Sequence, residues 1–189
     1  MKTQFLASFL AIIFLSVFVV ANKPTETFYE DIPSGSDFPQ GKYGADSIGC
    51  MTNLSLYREY YKQWKSTGYK SESVNDAIKP WRKAFFECPK SSQKMYLDGL
   101  KMMNYYFKKA PDEQQGAYMD TIEMIYLQRL ENFPTRKGKS QKGDIYGRLG
   151  SDIMKLMPER ANLAYDYLKE SVALEQDDAS ISSLVYYFR

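Results

Sequence analysis

The sequence predicts an all-α fold, and three observations carry that reading. From about Thr52 onward, bulky apolar residues recur at steps of three and four, the period of a helix face. Glycine and proline punctuate these runs at Gly68, Pro89, Pro111, Pro134 and Pro158. No segment carries a convincing strand pattern. The 189 residues suffice for one ordinary domain or a short array of repeats. Sixteen tyrosines, an aromatic content of 15% and a mean hydropathy of -0.48 suit a soluble protein with many half-buried rings. A net charge of +2 gives no global field that would recruit nucleic acid or membrane.

Residues 1–21 read as a secretory leader: Lys2, an apolar run from Phe5 to Val20 broken by Ser8 and Ser16, and small residues up to Ala21. Cleavage near Ala21 is expected, with an uncleaved anchor as the alternative. Residues 22–51 form an expected extended arm, rich in Pro, Gly, Ser and Asp, in which Phe28, Tyr29, Phe38 and Tyr43 could dock on the folded body. The helical domain spans 52–189, about seven helices. In the first, Leu56, Tyr57, Tyr60, Tyr61 and Trp64 mark the apolar face, and Gly68 ends it. Ser73-Val-Asn-Asp76 is a capping-box pattern that opens a second helix running to Pro89. Pro80 within it lacks an N–H, which predicts a kink or a later start. Ser91 and Ser92 can cap a third helix with Leu97, Leu100, Met103, Tyr106 and Phe107 on its apolar stripe. Pro111 opens a fourth, with Tyr118, Ile122, Ile125, Tyr126, Leu130 and Phe133, and Pro134 closes it. Thr135 to Lys142 is a basic loop. Helices resume over 143–157, after Pro158 to Glu175, and from about Ala179 to the end.

Two cysteines remain after the leader, Cys50 and Cys88, and an exported chain meets an oxidising compartment. A disulfide is expected between them, with two separately buried thiols as the alternative. It would tie the start of the first helix to the end of the second, for about 4 kcal/mol on the chain-entropy model. With no histidine and two cysteines, a four-ligand zinc site cannot be assembled, and no cofactor motif is present.

The spacing Ala77-x3-Trp81-x2-Ala84-x4-Pro89 places small and bulky residues on one helical face before a proline stop. The same eight-residue step from aromatic to proline recurs at Tyr126 and Pro134, and Ala164-x3-Leu168 repeats it without the proline. Tyr146-x2-Leu149-Gly150-x2-Ile153 is matched by Ile181-x2-Leu184-Val185-x2-Phe188, and more weakly by segments at Tyr57 and Tyr96. These registers resemble the second and first helices of the tetratricopeptide repeat. The resemblance covers about Thr52 to Arg189, with longer links and fewer small residues than the family norm. It implies a right-handed solenoid of antiparallel helix pairs, three pairs and a final helix. It further implies a non-catalytic protein-interaction module, and with the leader it points to the bacterial cell envelope, whether periplasmic, envelope-associated or secreted.

The family's concave groove is lined by first helices. The positions carried over are Arg58 and Lys62, then Lys101, Asn104 and Tyr105, then Ser151 and Lys155. Their cationic and polar character suits an acidic peptide or protein partner, and ordinary solvent-facing residues are the plain alternative. The apolar last helix, with Val185, Tyr186, Tyr187 and Phe188, suggests a partner or self-association. An enzyme would have to work without histidine, which excludes His-dependent triads. A two-carboxylate glycan hydrolase remains the catalytic alternative, although Glu123, Glu131, Glu159 and Asp152 read as solvated faces or caps. A glycan-binding surface protein is the other alternative, and an exposed Trp64 or Trp81 would favour it. Lys137-Gly-Lys-Ser140 lacks the upstream glycine of a phosphate loop, because Phe133 stands there. Asn53-Leu-Ser55 is a glycosylation sequon only in a eukaryotic source.

Overall fold

The computed structural model describes residues 41–189. The leader and the arm up to residue 40 lie outside the described residues. Those described form an all-α fold of seven helices and one small hairpin. The helices are α1 (Ser47–Ser66), α2 (Ser73–Glu87), α3 (Gln93–Lys109), α4 (Asp112–Asn132), α5 (Lys142–Leu156), α6 (Ala161–Glu175) and α7 (Ile181–Tyr187). The hairpin pairs β1 (Thr135–Arg136) with β2 (Lys139–Ser140). None of the described helices is long and apolar enough to cross a membrane.

α1 begins at Ser47, five residues before the expected start, so the last part of the expected arm is helical. Asp46 causes this: its carboxylate accepts the Gly49 amide at 2.9 Å and caps the first turn. Gly68 ends α1 as expected. The Gly68 amide donates to the Lys65 carbonyl at 3.1 Å and the Tyr69 amide to the Trp64 carbonyl at 2.9 Å, the two bonds of a Schellman ending. Tyr69 itself has φ 66°, an uncommon value for a residue with a side chain. Its ring packs edge-on against Trp64 with centroids 4.8 Å apart, which offsets the strain.

The capping box expected at Ser73 is not formed. Glu72 is the N-cap and makes no side-chain cap bond, while the Asn75 amide donates to its carboxylate at 2.6 Å. Nor does α2 start late, because Pro80 lies inside the helix. The carbonyl that loses its partner belongs to Asp76, which is exposed, so water can satisfy it. Between α4 and α5 the expected basic loop is a β-hairpin. Lys137 and Gly138, with φ 51° and 77°, form its two-residue turn. Strands of two residues are too short to leave an alternating pattern.

Neighbours in sequence are neighbours in space: α1 packs on α2, α2 on α3, α3 on α4, α4 on α5, α5 on α6, and α7 on both α5 and α6. Cys50, in the first turn of α1, is bonded to Cys88, just past α2, so these two helices run in opposite directions. The expected disulfide is therefore present. At the centre stands Trp81, fully buried and stacked on Phe85 with centroids 5.1 Å apart. Its indole Nε1 donates to the Met95 carbonyl at 2.9 Å, and its ring lies directly against Gly99 of α3. Leu56 and Leu97, expected on the apolar faces, are exposed; Leu54, Met95, Tyr96 and Met102 are buried in their place. The helices are turned so that these positions meet their neighbours. Along α5, Gly147 abuts Ser171 and Ser183, and Gly150 abuts Leu168 and the Ala164 carbonyl, so α5 sits close against α6 and α7.

Two expectations follow. Gly99→Ala would put a Cβ into the Trp81 ring, and a loss of about 1–3 kcal/mol in a urea titration is expected. An unchanged midpoint would mean that the indole has room to move. Replacing Cys50 and Cys88 together by Ala should cost about 4 kcal/mol, because the bond closes a loop across a separation of 38 residues.

Candidate functional site

The face shared by α1 and α3 gathers most of the charged candidates. Arg58 and Lys62 stand one turn apart on α1, both exposed. From α3, the Lys101 ammonium sits 4.6 Å above the Tyr69 ring and the Lys94 ammonium 5.2 Å above the Tyr61 ring. Tyr105 packs edge-on against Trp64, centroids 5.1 Å apart, and is partly exposed. The left-handed Tyr69 thus belongs to this face as well as to the end of α1.

Beneath these cations lies Asp98, 3% exposed, which sequence reasoning missed. A signal was present: Asp98 falls on the same stripe of α3 as Met95 and Met102, at steps of three and four, with Lys94 one turn before it. Lys94 Nζ donates to both carboxylate oxygens, at 2.6 and 2.8 Å. Burial raises the Asp98 pKa above the usual aspartate range, opposed by Lys94, Tyr61 and Arg58. Tyr57, buried beside Arg58 with its hydroxyl unpartnered, is pushed up to about 12, chiefly by desolvation. The site therefore has a cationic, tyrosine-lined surface over one buried acid.

The remaining candidates are placed differently. The Asn104 amide donates to the Leu100 carbonyl of its own helix at 2.9 Å. Ser151 is 2% exposed and its hydroxyl has no partner, so it cannot line an open groove. That is a correction: the family register puts it on the groove side, whereas the close packing of α5 seals it. Lys155 lies 3.9 Å from Asp152 and 5.9 Å above the Tyr186 ring, towards α7. Glu123 and Asp152 are not simple solvated faces. They are half-buried and accept hydroxyls from Tyr167 at 2.6 Å and Tyr126 at 2.7 Å, across helix boundaries. Trp64 and Trp81 are both fully buried, so neither offers an open indole to a sugar.

Because Asp98 holds its proton more tightly folded than unfolded, the folded state binds more protons between the two pKa values. Its contribution to stability then falls as pH rises from the ordinary aspartate range through the folded value. Urea midpoints of wild type and Asp98→Asn, taken from about pH 4 to pH 7, should show wild type losing ground to the variant as pH rises; parallel curves would contradict this.

Comparison with family models, with curated proteins and with solved structures returned no match for this chain.

Proposed function

We propose that this chain is an exported, non-catalytic helical repeat protein of the bacterial cell envelope that binds an acidic peptide or protein along the face of α1 and α3. The observation that carries the reading is the placing of Arg58, Lys94 and Lys101, all exposed, over the rings of Tyr57, Tyr61 and Tyr69, with the exposed Lys62 one turn beyond Arg58 on α1. Two of these ammonium groups already sit over aromatic rings. Less side-chain freedom is then lost when a carboxylate arrives, and charge-assisted hydrogen bonds would hold it. Tyr105 flanks the same face.

Other features support the fold this function needs. The order of packing follows the order of the chain, and the disulfide sets α1 against α2 head to tail. Gly150 meets Ala164 and Leu168, as the small position of a first helix meets the second helix in a tetratricopeptide pair. Both features support the reading of the fold as a solenoid of antiparallel pairs. A disulfide suits an oxidising compartment outside the cytoplasm, in keeping with a leader at 1–21. Ile181, Val185 and Phe188 of the α7 region are exposed, Phe188 by 78%, and give a second surface through which the chain could self-associate. The glycan-binding and two-carboxylate alternatives find less support, since both tryptophans are buried and the desolvated Asp98 is paired with a lysine.

The test is capture from envelope extract by the chain and by its Arg58→Ala/Lys62→Ala/Lys101→Ala form. The triple variant should lose the partners that wild type recovers. Equal recovery by both would end the groove reading.

A further inference from the structure

A carboxylate lies buried beneath the cationic face of α1 and α3, against the use proposed for that face. Lys94 stands one turn before Asp98, and its side chain is 63% exposed where that of Asp98 is 5% exposed. The ammonium nevertheless folds back onto its own helix. Its Nζ donates to Oδ1 of Asp98 at 2.6 Å and to Oδ2 at 2.8 Å, and it lies 5.2 Å above the Tyr61 ring of α1. Two of the three N–H donors of the ammonium are thus given to one carboxylate, and an arriving acid meets a pair that is close to neutral. Lys94 also occupies the first turn of α3, where the helix dipole disfavours a cation and Ser92 makes no side-chain cap bond. Asp98 offsets that poor position.

Lys101 is placed differently. It stands in the middle of α3 with its ammonium 4.6 Å above the Tyr69 ring, an uncharged cushion that leaves the positive charge available to a ligand. Arg58 and Tyr61 of α1 also favour the ionised form of Asp98, but the two hydrogen bonds go to Lys94. Building on the proposed binding face, we infer that Asp98 is its specificity-setting residue: it withholds Lys94 from acidic partners, so that Arg58, Lys62 and Lys101 select the partner and Lys94 does not. Asparagine at this position keeps the shape and an acceptor without the charge. It would free Lys94 to reach outward, and the face would gain a cation with no change at its surface.

Two measurements at neutral pH test this. The first needs no partner: limited acetylation by a succinimidyl ester, read lysine by lysine with mass spectrometry. In wild type Lys94 should react more slowly than Lys101, a result that depends on no variant folding, and in Asp98→Asn its rate relative to Lys101 should rise about threefold. The second is the fluorescence anisotropy of a labelled oligoglutamate peptide at low salt. Asp98→Asn should bind it about threefold to fivefold more tightly than wild type. The double variant Lys94→Gln/Asp98→Asn should return to about wild-type affinity, because it removes a pair that was already neutral. Equal Lys94 reactivity in wild type and Asp98→Asn overturns the inference, whatever the peptide does. An affinity unchanged by Asp98→Asn, or a gain that persists in the double variant, overturns it as well. A peptide that wild type does not bind, or binds no better than Arg58→Ala/Lys62→Ala/Lys101→Ala does, overturns the binding face itself and the inference with it.

Discussion

The structure turns on how Trp81 is housed. An indole that size can be buried only if a neighbour yields space and its N–H finds an acceptor. Gly99 yields the space, and the Met95 carbonyl is the acceptor. Both belong to α3, so the second helix is keyed to the third at one point. The disulfide keys the second helix to the first. Three helices are thereby fixed to one another, and the α1 and α3 face, with its four cations, is held in place by the helix behind it.

How much of this was legible in the sequence depends on the kind of information. Trp81, Ala77 and Ala84 announced a packed face because a helix repeats every 3.6 residues, and that face is buried throughout. Gly68 announced the end of α1, since a left-handed residue is needed there. Asp46 was not recognised as the start, because its carboxylate caps a run that opens Ser-Ile-Gly and lacks a regular apolar stripe. Leu56 and Leu97 misled, because hydrophobicity tells which residues can be buried but not which way a helix is turned about its axis. Ser151 misled in the same manner, since it was read as lining an open groove when its side of α5 faces inward, and Asp98 was missed because a polar residue on a buried stripe was not looked for.

The two charged regions solve the problem of crowded cations differently. On α1 and α3, Lys94 is neutralised by Asp98, and Lys101 rests over the electron-rich face of Tyr69. The surface stays positive, yet its buried acid is satisfied. Around the hairpin, tyrosine is less available as a cushion: the Tyr126 hydroxyl is given to Asp152, and Asp144 serves Arg148. Arg129 is left with unmet hydrogen-bonding capacity. On the first face the buried acid has its partner, and around the hairpin two nitrogens of Arg129 have none.

The glycines of α5 have a consequence for the order in which the chain can fold. Gly147 and Gly150, inside α5, each cost a helix about 1 kcal/mol relative to alanine. On its own, α5 is thus a poor helix, and few turns of it would persist in a partly folded chain. What it gains from the close approach of α6 and α7 exists only once those helices, which come later in the chain, have arrived. The C-terminal third therefore forms as one cooperative unit, whereas α1 and α2 can pair early and be sealed covalently.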